Sequence, residues 1–385
     1  MKNFLVVSIA VSGLLFCIST STAETLEEYQ TEVINSYHGQ LGKDTGLGML
    51  EKWCSLPNFR YDLQGVETWN VKCGFCHVGG GFDTEGEPLN INCNRCHEEV
   101  EGEIGNAGPV TIASCALTCH AKDKAKRGDI FDADHDVHIS AGMGCQYCHE
   151  SEKHNLLKGD AIDTTEETYV NTMNQCQDCH GESPHNIRGK GETYNKHANK
   201  IACETCHTGV RPAGIALAYR TWATFNEDGT PVTTKRMETW IPELKWHKSG
   251  SGDGGHLPIL GFTDQRTVPG SKITPFNAVT VEWFNIEKSD ALDATILVSE
   301  VKAADANGDR TTTVEEMQAY DSGSDGSDYP DAVLITEDMN FQISHNVTLV
   351  DAFTCKACHG DEAYVITDWQ QLGYPKDPAL RGRTK

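Results

Sequence analysis

Apolar side chains are scarce where this sequence most needs them. From Cys73 to His207 only 20 of 135 residues, or 15%, are Leu, Ile, Val or Phe. A composition this poor is typical of chains that cannot bury a core. Long hydrophobic runs are also missing. Past Ile18 no stretch approaches the roughly 18 apolar residues that a membrane span needs. Basic residues are few, with 32 Lys plus Arg against 56 Asp plus Glu and a net charge of −24. This deficit argues against binding nucleic acid and against docking on an anionic membrane face. It suits a soluble protein that meets basic partners.

What the poor stretch does contain is cysteine, 12 of the 16 in the chain. Residues 1–23 read as a secretory signal peptide: Lys2, an apolar run from Phe4 to Ile18, then Ser21 and Ala23 at the small-residue positions. Cleavage near Glu24 removes Cys17 and leaves no integral span. Of the cysteines that remain, 14 form seven pairs, each followed at once by histidine. Six pairs have two intervening residues: Cys73 and Cys76 with His77, Cys93 and Cys96 with His97, Cys145 and Cys148 with His149, Cys176 and Cys179 with His180, Cys203 and Cys206 with His207, and Cys355 and Cys358 with His359. The seventh has three: Cys115 and Cys119 with His120.

This is the attachment signature of c-type haem. Two thiols add to the porphyrin vinyl groups, and the adjacent imidazole reaches the iron from one face. Zinc sites, iron–sulfur clusters and redox pairs do not require a histidine after every pair. With 16 His in 385 residues, chance would place one there about once in 24 tries, so seven of seven decides for haem. Seven haems also supply the missing core. Between His77 and His207 the chain has one motif per ~22 residues, too little to bury anything but porphyrin. The predicted fold class is a multihaem cytochrome c: mostly irregular chain and short helices around a stacked haem core, plus a small β-containing insertion with an EF-hand-like loop.

Nine histidines lie outside the motifs, and seven six-coordinate irons need seven of them. The distal candidates are His38, His138, His154, His185, His197, His256 and His345. His154 and His185 follow a motif histidine by five residues, and His138 and His197 precede a motif by seven and six. His38 ends a helical pattern of Leu26, Tyr29, Val33 and Tyr37, and His256 lies in a Gly-rich loop. His135 and His247 are the spares, with His135 able to replace His138. Iron with two imidazoles has no open site, so it passes electrons and does not bind substrate.

From Asp136 onward the chain resembles the octahaem tetrathionate reductase-like family of multihaem cytochromes. The resemblance rests on Asp136-Val137-His138, on Gly142-Met143-Gly144-Cys145 through His149 and His154, and on Cys176 to His180 with Pro184-His185. It continues with Lys196-His197, Ile201-Ala202-Cys203, His207 and the tail from Asp368 to Pro375. It implies closely packed, mostly bis-histidine haems in a periplasmic or exterior electron-transfer protein. Some members reduce sulfur or nitrogen compounds at one haem with a distal lysine. Here Lys122, Lys124 and Lys126 follow the wide motif, and their favoured reading is a solvated basic cluster. This chain has seven motifs, not eight.

Between His207 and Cys355 lie 147 residues without a motif. Arg220–Phe225, Met237–Ile241 and Ala278–Phe284 read as short strands with aromatic faces. Trp222, Trp240, Trp246 and Trp283 pack either on haem edges or in ordinary strand core. Leu292 to Val301 has helical spacing and runs into an acidic loop. Counted from Asp305, oxygen ligands fall at EF-hand positions: Asp305, Asn307, Asp309, Thr311, Thr313 and Glu316. Arg310 stands where the pattern has Gly. A following loop from Asp321 to Ala332 is a degenerate partner. Cys54, the odd cysteine, is expected to be buried beside Trp53.

The predicted organisation is a signal at 1–23, a six-haem region at 24–207, a wrapping insertion at 208–345 with the loop at 305–316, and a seventh-haem segment at 346–385. The cofactors are seven c-type haems and Ca²⁺. The expected function is an exported heptahaem electron carrier, periplasmic or at the cell exterior. It would serve other cytochromes, metal oxides or like subunits. The rivals are a multihaem reductase of a sulfur or nitrogen oxyanion and a cytochrome filament subunit. Electron transfer is favoured over catalysis.

Overall fold

The computed structural model describes residues 28, 31–33, 36, 93, 96–98, 108–152, 154–156, 173–186, 188–248, 266–286, 296, 298–321, 329–360 and 366–380. The signal segment, Cys54, Cys73, Cys76, His77, His38 and His256 lie outside them. Among the described residues no helix is long and apolar enough to cross a membrane.

Among the described residues, most of the sheet structure lies after His207. Five strands form one sheet: β1 Leu217–Phe225, β2 Pro231–Lys235, β3 Glu243–His247, β4 Lys272–Asn285 and β5 Val333–Gln342. The 14-residue β4 is its hub. It pairs antiparallel with β3 over Lys272–Phe276, antiparallel with β5 over Phe276–Asn285, and parallel with β1 over Thr280–Glu282. β2 pairs antiparallel with β1.

Neighbouring residues of a strand face opposite ways, and two cores follow. Trp222, Val279, Val281 and Trp283 join Leu217, Phe276, Met339 and Phe341 in one cluster. Ala223, Phe225 and Phe284 join Ile296, Val301, Ala304 and Met317 in another. The four tryptophans are strand or near-strand core. Trp246 packs with Leu244, Ile273 and Leu372, and Trp240 with Ala216 and Ile343.

Met237–Ile241 is not a strand. Trp240 makes only an isolated bridge to Arg211, with the Arg211 N–H donating to the Trp240 carbonyl at 2.7 Å. Pro242 follows and offers no donor to a ladder. Pairing resumes one residue later in β3. The Arg236 guanidinium covers the Trp240 ring at 4.6 Å instead.

The acidic loop sits between helices Val298–Ala303 and Val314–Ala319, and most of the Leu292–Val301 span before Val298 lies outside the described residues. Asp305 carboxylate oxygens accept the N–H groups of Gly308 and Arg310 at 2.9 and 2.8 Å. Arg310 takes the left-handed backbone that Gly usually supplies, φ 71°. The loop zips onto β1 through Phe225 N–H to Arg310 O and Thr312 N–H to Ala223 O.

Before His207 the described residues form short helices, irregular segments and a small antiparallel hairpin of Ser151–Glu152 with Asn155–Leu156. The sheet meets this region at Ile273, whose carbonyl accepts the Ala202 N–H at 2.9 Å and the Thr205 hydroxyl at 2.7 Å. That contact fixes helix Cys203–His207 against β4. The tail closes over β3, where the Trp246 indole N–H donates to the Leu372 carbonyl at 2.9 Å.

Candidate haem centres

Each described motif is one tight turn. The histidine N–H donates to the carbonyl of the first cysteine at 3.0 Å for His97 and Cys93, 2.9 Å for His149 and Cys145, and 2.8 Å for His359 and Cys355. The wide motif keeps this link: His120 N–H reaches Cys115 O at 3.0 Å. The extra residue is absorbed because Cys115–Cys119 is a π-helix turn, in which the bond spans five residues rather than four.

The histidines come together in twos. Ring centroids lie 6.2 Å apart for His97 and His154, 6.1 Å for His138 and His180, 6.4 Å for His149 and His345, 6.1 Å for His185 and His207, and 6.1 Å for His197 and His359. Every pair joins one motif histidine to one distal candidate. Two metal–nitrogen bonds of about 2 Å, plus roughly 1 Å from each nitrogen to its ring centre, set two imidazoles on one metal about 6 Å apart. The observed spacing therefore fits an iron between each pair. Among the described residues no three His, Cys, Asp or Glu side chains converge as a protein-only metal site requires.

Hydrogen bonds hold several of the rings by Nδ1, which leaves Nε2 to face the partner ring. His97 donates to Gly108 O at 2.7 Å, His154 bonds Glu32 Oε2 at 2.9 Å, and His185 bonds Asn195 Oδ1 at 2.9 Å. His207 reaches Thr348 O at 3.3 Å, His345 bonds Asp129 Oδ2 at 3.1 Å, and His359 bonds Asp377 Oδ1 at 2.7 Å. Asp136 caps the helix of His138 by accepting its N–H at 2.8 Å, and its other oxygen accepts Val347 N–H at 2.9 Å. One carboxylate thus positions both His138 and the segment after His345.

Behind His345 lies a buried polar knot. Arg211 and Asp129 have side chains 1% and 0% exposed. Arg211 Nη2 donates to Asp129 Oδ1 at 2.7 Å and to Asn346 Oδ1 at 2.9 Å, and Nη1 donates to His345 O at 3.1 Å. Burial pulls the Arg211 guanidinium down, and Asp129 opposes that.

The thiols also align from motif to motif. A hydrogen-bond contact to Cys115 holds the Cys145 thiol down to about 6, and a contact to Cys176 holds Cys203 down to about 7. Burial raises Cys148, with Cys179 beside it. Burial pushes Cys206 up to about 11, and the neighbouring Cys358 adds to the rise. Tyr194 bridges the last two motifs: its ring meets His185 edge-on at 5.5 Å and its hydroxyl lies 3.7 Å from Cys355 Sγ. Thiol contacts thus join the Cys115 motif to the Cys145 motif and the Cys176 motif to the Cys203 motif.

The two spare histidines lie elsewhere. His135 bonds Asp132 at 2.7 Å, and buried His247 packs edge-on against Phe276 at 5.8 Å. His120 bonds Asp123 Oδ2 at 2.8 Å, and Arg127 holds the other oxygen of that carboxylate. The solvated lysine cluster needs correction at Lys126, which is buried, 6% exposed. Its helix packs on the sheet: its carbonyl accepts Asn277 Nδ2 at 2.7 Å and its ammonium lies 6.0 Å from the Phe341 ring centre. Sequence reading missed the residues behind the paired histidines. Asp129 and Arg211 stand in no motif, and Asp129 is 216 residues from His345.

The model of cytochrome c7 and related cytochrome c matches residues 131–208. Comparison with curated proteins gives no match. Among solved structures, the crystal structure of octaheme cytochrome c from Shewanella oneidensis aligns at a TM-score of 0.61 and 19% identity, over 92% of each chain. The fold is that of a multihaem c-type cytochrome, with a cytochrome c7-type stretch across the motifs from Cys145 to His207.

Proposed function

We propose that the chain is an exported heptahaem electron carrier, relaying single electrons between a periplasmic or membrane donor and a periplasmic or extracellular acceptor. The carrying observation is the set of five histidine pairs, each at the spacing of two ligands on one metal. Bound c-type haem supplies the one-electron chemistry. The chain's own cysteines would attach it and its paired histidines would ligate the iron, while thiol contacts bring Cys115 to Cys145 and Cys176 to Cys203. His38 and His256 complete the sites of His77 and His120 in this reading. The segment 208–345 is a wrapping insertion, supported by the contact of β4 with helix Cys203–His207.

Intact mass and ferric electron paramagnetic resonance test the reading. Seven haem masses on the mature chain and low-spin iron that does not bind cyanide are expected. A five-coordinate or lysine-ligated iron would support the reductase of a small oxyanion instead. Negative-stain images of filaments would support a structural subunit.

Ca²⁺ belongs to the same proposal, as a structural ion at Asp305–Glu316. The helix–loop–helix frame and the left-handed Arg310 support it. Asp305, Asp309 and Glu316 do not converge as they stand, and Glu316 Oε2 accepts the Thr313 N–H at 2.9 Å, so it must turn inward to close a calcium shell. The holoprotein should melt at higher temperature with Ca²⁺ than with a chelator, and Asp305→Ala should remove the difference. An equal melting point in both would remove the ion from the account.

A further inference from the structure

The acceptors behind the paired imidazoles differ in charge, and the sharpest contrast falls between neighbours. His185 and His207 face neutral groups, the Asn195 amide oxygen and the Thr348 carbonyl. The adjacent His359 faces a carboxylate, Asp377, at 2.7 Å. Asp377 is 8% exposed. Its Oδ1 also accepts the Ala379 N–H at 2.8 Å, while its Oδ2 has no hydrogen-bond partner.

Two other buried carboxylates on haem-side imidazoles are shared with a guanidinium: Asp129 is bound by Arg211, and Asp123 by Arg127. A third, Asp136, lies farther from its imidazole, 3.4 Å from His138 Nδ1, and its oxygens accept the His138 and Val347 N–H groups. Among the described residues, the ion pair recorded for Asp377 is with His359 alone. A carboxylate that accepts the Nδ1 proton makes an imidazole a more basic ligand and favours the more positive iron. Low local dielectric strengthens this effect, and a guanidinium on the same carboxylate weakens it.

We propose that Asp377, acting through His359, holds the Cys355–Cys358 haem at a lower reduction potential than the neighbouring Cys203–Cys206 haem. At equilibrium an electron shared by these two sites then rests on the Cys203–Cys206 haem, and the Cys355–Cys358 iron is the oxidised partner. One electron moves and no proton is exchanged. The C-terminal site is a feeder into the line rather than its sink. Asp377 is a positioning residue, because it touches the ligand and not the iron. The inference rests on the ligand pairs proposed above.

The test is a potentiometric titration of the holoprotein followed by visible absorption. His197→Met first labels the C-terminal haem, since a methionine ligand moves its component positive. In Asp377→Asn the same component should move positive by at least a tenfold change in its reduction equilibrium, about 59 mV for one electron. Asn195→Asp, at a half-buried site, should move a different component negative. Should the labelled component stay in place or move negative in Asp377→Asn, with haem mass and low-spin spectrum intact, the inference is overturned and the ligand pairs stand. If His197→Met leaves spectrum and potentials unchanged, the ligand pairs themselves fall, and the inference with them.

Discussion

Replacing Arg211 with Met should destabilise the holoprotein by about 3–5 kcal/mol, the usual cost of leaving a buried charge without its partner. The size follows from the surroundings. Asp129 is fully buried, and its two oxygens are taken by Arg211 and His345. Arg211 also ties Asn346 Oδ1 and the carbonyls of His345 and Arg127, at 2.9, 3.1 and 3.3 Å. Methionine keeps much of the apolar stem but removes every one of these donors. Asp129 would then face His345 alone. Urea unfolding followed by far-ultraviolet circular dichroism measures the loss. Adding Asp129→Asn to Arg211→Met should return part of it, because the orphaned charge is gone. A coupling of ~1–3 kcal/mol between the two sites is expected. A loss below about 1 kcal/mol in Arg211→Met, with unfolding slope unchanged, would refute the claim that this knot holds the His345 segment in place.

Gly128 sits at φ 74°, with an added Cβ placed 3.4 Å from the Trp240 ring. Gly128→Ala should therefore cost ~1–2 kcal/mol in the same assay. Trp283, 1% exposed at the centre of the sheet core, should cost about 3–5 kcal/mol when cut to Ala. Burial and the bond to Glu282 push the Tyr219 hydroxyl up to about 12, from 10 in the unfolded chain. Between pH 10 and 12 the unfolded chain loses this proton first, so stability should fall across that window, and Tyr219→Phe should flatten the fall in an alkaline melting series. Arg310→Gly should raise the melting temperature without Ca²⁺, by relieving a left-handed non-glycine residue worth ~1 kcal/mol.

The attachment motifs are legible because their chemistry is local: two thiols and an imidazole must sit on one turn. The distal candidates come from counting and spacing, and the sequence does not say which ring each one faces. Nothing near His345 announces that it faces His149 across some 200 residues of chain. In the sheet, Arg220–Phe225 and Ala278–Phe284 read correctly because aromatic and β-branched residues cluster there. β5 escapes, since Thr336, Glu337, Asp338 and Asn340 look like loop. Its ten-residue register with β4 overrides that local preference. Met237–Ile241 misleads in the other direction, because Trp240 is buried by side-chain packing without a strand around it. The groups behind the ligands leave no pattern at all, as each is a single Asp, Asn or carbonyl brought in by tertiary folding.

The most direct test is near-infrared magnetic circular dichroism of the fully oxidised protein, read with haem content per chain. The band positions report the axial ligands of low-spin ferric haem. Bis-imidazole bands should account for at least five irons, one for each histidine pair, and His138→Ala should remove the share of one. A spectrum dominated by methionine-ligated or five-coordinate iron, or one that His138→Ala leaves unchanged, would contradict the account.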